Sequence, residues 1–310
     1  MTENKNNISF FIVSFVIALQ AFAPVDTFAQ RKNWWGKTKY DGPAWVRNVS
    51  RPNDIDRGLD GHHISLWASH GRYYMHAKDR WKWQRVNLFC TNEDVFTQTF
   101  VVPYLIPMLE RAGANVFTPR ERDWQKHETV IDNDGAQMAV DGNIVSGAVT
   151  NYVENGKWKD FLNAGFKIPY HYRMYDGDMP FTNGTARQVK TKKKKSTAFA
   201  IYTPKIVESG SYAVYVSYQT VRKSVEDAHY IVVHKGVETH FAVNQRMGGG
   251  TWVYLGTFDF DAGQSMDNCV IVDNMASSKG VVTTDAVRFG GGMGNVVRGN
   301  TTSNLARCME

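Results

Sequence analysis

Short runs in which apolar and polar residues alternate dominate the chain beyond residue 196. The clearest run extends from Tyr212 to Tyr218, and turn signals such as Lys235-Gly236 separate it from its neighbours. Such alternation is typical of β-strands. Seven runs at short, regular spacing predict an antiparallel sandwich or jelly roll over residues 196–290. The runs are Thr197–Tyr202, Ser211–Thr220, His229–His234, Val237–Val243, Thr251–Phe260, Cys269–Asn274 and Val281–Phe289.

The part of the chain before residue 124 has a different pattern. His62–Ser69 reads as a buried strand, apolar residues then recur at helical spacing, and Ala114–Thr118 is a second short strand. This order indicates a βαβ unit with parallel strands and a right-handed crossover. Pro103 lacks a backbone donor, so the helix should be kinked or broken near it. The expected fold class is therefore a partial α/β domain followed by an all-β sandwich.

The N-terminus has the features of an export signal. Lys5 precedes an apolar run, Ile8–Ala23, and small residues follow as far as Ala29. This order is typical of a secretory signal peptide cleaved near Ala29, although the run could also remain as an uncleaved anchor. No later stretch is apolar enough to cross a bilayer. The mature chain is therefore expected to be secreted, periplasmic or located at the cell envelope.

Positive charge is concentrated in one short segment. The formal net charge is +6, and six positive charges come from the cluster Arg187, Lys190 and Lys192–Lys195. Because the rest of the chain is formally neutral, the basicity is local, which argues against a nucleic-acid-binding surface. The cluster fits either a solvated loop between domains or a contact with an acidic glycan or another anionic surface.

A histidine and a glutamate follow the predicted strand and begin the predicted helix. His70 comes just after the first strand, and Glu93 lies in the first turn of the helix. In a βαβ unit both positions fall at the same edge of the sheet, where α/β folds bind ligands. Imidazole and carboxylate are zinc ligands. The residues are equally compatible with a hydrogen-bonded loop histidine and a glutamate that interacts with the helix dipole.

Four segments of the first half carry a resemblance to a known family. They are Gly61–Gly71, Thr91–Glu93, Leu109–Val116 and Arg120–Asp123. Together they resemble the first half of the zinc-dependent N-acetylmuramoyl-L-alanine amidase fold. The resemblance implies that His70 and Glu93 are the first two zinc ligands. The third histidine and the catalytic glutamate of that family have no counterpart here, so the site is expected to be incomplete and this chain inactive.

The second half resembles another family. The segments that carry the resemblance are Tyr202–Pro204, Gly210–Tyr218, Ala228–Tyr230, His234–Gly236, Asn244-Gln245, Gly249–Phe258 and Thr284–Phe289. They are similar to the golvesin C-terminal/xanthan-lyase carbohydrate-binding-like domain. In Bacteroidetes-type secreted proteins of this kind, the sandwich is inserted in an amidase-like domain that resumes afterwards. The chain ends at Glu310, about where that return is expected, which implies truncation.

The domain organisation combines these patterns and resemblances. It consists of a signal peptide (1–29), a partial amidase-like domain (30–150), a connector with the basic patch (151–195), the sandwich (196–290) and the start of the return segment (291–310). Periodicity within residues 124–195 is weak, and we assign no function to that stretch.

The sandwich suggests a glycan-binding role. Trp252 and Tyr254 share one strand face and are the candidate sugar-stacking residues, although both could equally be core residues. The expected function is a secreted polysaccharide- or envelope-associated protein that binds a glycan or peptidoglycan and no nucleic acid. The alternatives are a zinc amidase that is active only in a longer chain, a xanthan-type polysaccharide lyase, and a structural sandwich that docks protein partners.

Overall fold

The computed structural model describes most of residues 42–291. The segments outside the description within that range are 52–57, 67, 69, 79, 89–90, 119–121, 123–124, 135–137, 146–150, 162–164 and 169–179. The predicted signal peptide and all but the first residue of the predicted return segment also lie outside the described residues, and both stay predictions. No helix in the described ranges is long and apolar enough to span a membrane.

Short β-strands make up most of the described structure. In chain order they are β1 (Val46–Asn48), β2 (His63–Ser65), β3 (Arg72–Met75), β4 (Arg80–Trp83), β5 (Asn87–Leu88), β6 (Thr91–Asn92), β7 (Asn115–Phe117), β8 (Glu128–Asp132), β9 (Met138–Val140), β10 (Asn143–Val145), β11 (Tyr152–Asn155), β12 (Lys159–Phe161), β13 (Ala186–Lys190), β14 (Phe199–Tyr202), β15 (Gly210–Val216), β16 (Ala228–His234), β17 (Val237–Val243), β18 (Val253–Phe260), β19 (Cys269–Asp273), β20 (Val281–Thr284) and β21 (Ala286–Gly290).

Two six-stranded antiparallel sheets form the body of the fold. The first has the order β1-β17-β16-β19-β14-β11, and the second has the order β10-β9-β8-β21-β15-β18. One buried cluster joins residues of both sheets, among them Val216 and Val287 of the second sheet and Tyr230 and Val272 of the first. Two sheets that share one core between them are a β-sandwich. The predicted all-β sandwich is therefore confirmed.

The last predicted strand differs in one respect from the observed structure. The sequence predicts a single strand from Val281 to Phe289, whereas the structure has two, β20 and β21, which join different sheets. β20 pairs with β13 in a three-stranded sheet of order β12-β13-β20. Asp285 lies between the two strands, and both oxygens of its buried side chain accept from the backbone N–H of Phe166.

The sandwich also extends beyond residues 196–290. β1 pairs with β17, so the segment around Val46 belongs to the first sheet and not to a separate α/β domain. β8 pairs with β21 along its whole length and is buried throughout. The predicted connector, residues 151–195, supplies β11 to the first sheet and β13 to the small sheet. The predicted boundaries at 150 and 195 therefore do not separate domains, because these strands complete the sheets.

Of the predicted α/β domain, the described residues show one small parallel pair of strands and no larger parallel sheet around it. β2 and β7 pair in parallel, and the chain between them includes the helices α1 (Glu93–Phe100) and α2 (Ile106–Arg111). A π-helical turn, Val101–Leu105, separates the two helices and contains Pro103. The predicted break near this proline is confirmed, since proline cannot donate the hydrogen bond that an uninterrupted α-helix needs.

Candidate functional site

A cavity of about 670 Å³ lies against the second sheet of the sandwich. Trp252 and Tyr254 form part of its wall, together with Trp45 next to β1 and Phe117 at the end of β7. Its rim carries polar groups, among them Arg51. Cavities of this size with aromatic walls and a few polar groups are typical of small-ligand sites. The two predicted sugar-binding residues thus line the same cavity.

A bulge in β18 determines which side chains face this cavity. Tyr254 pairs with Tyr215 of β15, but Gly256 pairs with Val214, so Leu255 is an extra residue at the register shift. The extra residue shifts the inward and outward alternation of β18 by one position at the bulge. Trp252, Tyr254 and Tyr215 consequently share the outer face of the sheet, whereas Val253 and Leu255 belong to the central core.

The predicted pair is more deeply buried than a flat sugar-stacking platform would be. Trp252 is only 7% exposed and contacts Phe166 and Phe181, with ring centroids 5.0 and 5.4 Å away. Tyr254 is half-buried, and the guanidinium of Arg122 lies 3.7 Å from the centre of its ring. Trp252 is thus a packed wall residue, and Tyr254 is the more accessible of the two rings.

Arg122 provides a positive charge at the wall of the cavity. It stacks on Tyr254 and forms an ion pair with Glu110, in which Nη1 and Oε1 are 2.7 Å apart. Both residues line the cavity. The sequence pattern gave no reason to single them out, because both lie more than a hundred residues before Tyr254 in the chain and meet it only in the folded structure.

Trp45 is another cavity residue that the pattern did not identify. Its indole Nε1 donates to the hydroxyl of Tyr218 at 2.7 Å, and its ring lies against Gly248. A Cβ added at Gly248 would lie 1.8 Å from Trp45 Cζ2, and the residue has a φ of +70°. Because glycine has no Cβ, the glycines at 248–250 could let a ligand approach the backbone closely, or they could form ordinary turns. At Gly248 the group that packs against the backbone is the ring of Trp45.

A buried arginine supports the cavity wall from the second sheet. Arg288 of β21 is fully buried, and its guanidinium lies 4.3 Å from the centre of the Tyr215 ring and 5.6 Å from that of Trp252. Its Nε is 3.8 Å from Oε1 of Glu128, which is also buried. Arg288 itself does not line the cavity, so its contribution to the wall is structural.

Buried carboxylates hold the segment that covers the same sheet face. Both oxygens of Asp285 accept from the backbone N–H of Phe166, at 3.0 and 2.8 Å, and Oδ2 also accepts from Ser217. Asp132 accepts from the backbone N–H of Ile168 at 3.1 Å. Burial raises the pKa of Asp285 to about 8. Burial, together with the nearby charge of Asp285, raises the pKa of Asp132 well above its usual value.

The predicted metal ligands lie near each other in the first half of the chain. His70 Nδ1 is 3.6 Å from Glu93 Oε1 and 3.8 Å from Asp94 Oδ1. The guanidinium of Arg85 lies against the same imidazole, with one Nη atom 2.8 Å from Nε2. A cation in contact with the ring competes with a metal ion for its nitrogens. Among the described residues, no group of three or more His, Cys, Asp or Glu side chains has the geometry to hold a metal ion.

The second half of the chain has relatives of known family. Residues 177–291 match the Golvesin C-terminal domain. Xanthan lyase from Bacillus sp. (strain GL1) is 35% identical to this chain over 95 residues, which are 31% of this chain and 10% of that protein. The chain therefore spans about a tenth of the length of this relative. The prediction of a carbohydrate-binding-like domain in the second half is supported by both findings.

Solved structures with some likeness include proteins that act on or bind polysaccharides. Paenibacillus xanthan lyase has a TM-score of 0.39 at 22% identity, over 53% of this chain and 13% of that one. A family 35 carbohydrate binding module from Clostridium thermocellum has a TM-score of 0.29 at 16% identity, over 46% of this chain and 93% of that one. The match to the Golvesin C-terminal domain does not include β2, β7 or the helices, so it leaves the amidase resemblance unsupported.

Proposed function

We propose that this chain is an exported, polysaccharide-associated protein whose sandwich binds a glycan in the aromatic-walled cavity. The observation that carries the proposal is that Tyr254, Trp252 and Trp45 line one cavity on a sheet of the golvesin-type domain. The cavity is large enough for a small ligand, and its polar rim could hydrogen-bond sugar hydroxyls. The similarity to xanthan lyase supports a polysaccharide, and not a small metabolite, as the ligand class.

Tyr254 offers the sharpest test of this site. Its ring is a half-buried aromatic surface of the cavity, and its hydroxyl lies 2.9 Å from Thr257 Oγ1. We expect Tyr254→Ala to weaken glycan binding about ten-fold or more, as truncation of a ring in a binding pocket commonly does. Affinity electrophoresis of the full chain in gels that contain xanthan, peptidoglycan fragments or neutral glucans measures the effect.

Two variants serve as controls for that experiment. Tyr254→Phe keeps the ring and removes only the hydroxyl, so it should retain binding. Tyr104→Ala makes the same truncation at a tyrosine that is 66% exposed and outside the cavity, so it should change nothing. Equal retardation of Tyr254→Ala and the parent protein by every polysaccharide would contradict the proposal. The same xanthan samples, assayed for unsaturated sugar products, test the lyase alternative.

The zinc-amidase alternative stays a prediction. The proximity of His70 and Glu93 favours it, whereas Arg85 opposes it, and a catalytic zinc normally has three protein ligands. As arranged, these residues do not fit a zinc ion, so we expect zinc to bind with no better than micromolar affinity. Isothermal titration of the parent and of His70→Ala measures this. Tight binding that His70→Ala abolishes would instead support an amidase lineage with a working metal site.

A further inference from the structure

The lysine-rich turn between β13 and β14 is the strongest charged feature that the proposed site does not use. Lys190 and Lys192–Lys195 are all exposed, and none of them has an ion-pair partner among the described residues. Arg187, the sixth cation of the segment, is different, because it pairs with Glu154 and Asp160. Among the described residues, the five lysines therefore have no ion-pair partner, whereas the arginine has two.

The backbone of this turn is fixed by the neighbouring strand end. The side chain of buried Asn274 accepts from the backbone N–H of Thr197 at 2.9 Å and donates to the carbonyl of Lys190 at 3.0 Å. Lys192 N–H donates to the Asn274 carbonyl at 2.7 Å, and its carbonyl accepts from Ala276 at 2.9 Å. Because the backbone is already ordered, a ligand would have to order only the lysine side chains.

Two other segments add positive charge to the same end of the sandwich. Lys190 pairs with Val281, and Val281 N–H donates to the carbonyl of Lys223 at 2.9 Å. Lys223 and Lys279 are both exposed and have no ion-pair partner among the described residues. The acidic residues nearby in these segments are already engaged: Glu226 pairs with Arg246, and Asp227 accepts from the Ser277 N–H.

We infer that these seven lysines, Lys190, Lys192–Lys195, Lys223 and Lys279, form a second binding surface, which takes a carboxylated polysaccharide. An exposed ammonium group gains little from any single anion, so many contacts along one chain are needed, which favours a polymer with repeated charges. The turn contains no aromatic ring on which a nucleic-acid base could stack. The choice of a polysaccharide among polyanions rests on the proposed function. None of the seven lysines lines the cavity.

The test compares two sets of charge changes in the full chain. The patch variant carries Lys192→Gln, Lys193→Gln, Lys194→Gln and Lys195→Gln. The control variant makes the same change at four exposed lysines elsewhere, Lys78, Lys82, Lys167 and Lys205. The probes are polygalacturonate and the same polymer fully methyl-esterified, which has no carboxylates. Binding is measured at several salt concentrations.

We expect the parent to bind polygalacturonate, and the patch variant to bind it at least about ten-fold more weakly and with a smaller salt dependence. The control variant should change affinity by less than about three-fold, and the methyl ester should not bind at this surface. An equal loss in both variants would overturn the inference. So would stronger patch-dependent binding to phosphatidylserine vesicles or single-stranded DNA than to polygalacturonate. Tyr254→Ala keeps the patch, so a failure of the cavity proposal would be seen separately.

Discussion

Replacing Arg288 by methionine is expected to lower the free energy of unfolding by about 3–5 kcal/mol, the usual cost of breaking a buried ion pair. Arg288 is fully buried and lies 3.8 Å from the carboxylate of Glu128, which is 1% exposed. Methionine fills much of the same volume, so the packing against Tyr215 is largely kept. The main loss is the positive charge that lies 3.8 Å from the buried carboxylate of Glu128. Urea denaturation followed by circular dichroism measures the difference.

Two further variants isolate the contribution of charge in this experiment. Glu128→Gln in the Arg288→Met background removes the negative charge that faced Arg288 and should recover part of the loss, because removing one member of a buried ion pair is costly while the other stays charged. Arg246→Met breaks the ion pair with Glu226 at the surface and should cost no more than about 1 kcal/mol. A loss below about 1 kcal/mol for Arg288→Met would show that the buried guanidinium does not stabilise the second sheet.

The sandwich strands could be predicted because each strand has its own alternation of residues, which can be read without knowing its partners. In β15, Tyr212, Val214 and Val216 face the central core, as their alternation indicates. The intervening Ala213 and Tyr215 are also buried, which the alternation did not reveal. They are covered by a segment around Phe166 that is distant along the chain. A local pattern shows which residues share a face but not what covers that face.

The parts of the fold that the sequence did not reveal depend on long-range contacts. β1 pairs with β17, which lies almost two hundred residues later in the chain, and three residues give no periodicity to detect. The break between β20 and β21 depends on the partners of Asp285, and these are also distant. The cavity likewise could be predicted only in part: Trp252 and Tyr254 stood out on their strand, whereas Trp45 and Arg122 reach it only through the tertiary fold.

We expect the free energy of unfolding to depend on pH because two carboxyl groups near the cavity wall, Asp285 and Asp132, are buried. The pKa of Asp285 is raised to about 8 by burial, and that of Asp132 is also raised. Between about pH 4, where an unfolded aspartate titrates, and about pH 8, the folded state therefore holds more protons than the unfolded state. Stability contributed by the protonated form is complete below the unfolded pKa and is lost as the pH rises through this window. The slope per group is up to about 1.4 kcal/mol per pH unit.

Asp285→Asn removes this titration and keeps most of the local hydrogen bonds. With the amide oxygen in the position of Oδ2, the variant can still accept from the Phe166 N–H and from the Ser217 hydroxyl, and it loses the second contact of the Phe166 N–H, with Oδ1. The variant also removes the negative charge that helps to raise the pKa of Asp132.

The stability of Asp285→Asn should consequently fall less steeply with pH than that of the parent. The variant is expected to be the less stable protein near pH 4 and at least as stable as the parent near pH 8.5. Urea midpoints at half-unit pH steps measure both curves, with Asp259→Asn as the matched change at an exposed aspartate. Parallel curves for the parent and Asp285→Asn would mean that Asp285 is ionised in the folded protein throughout this range, since only a carboxylate that stays protonated in the fold makes the two curves converge.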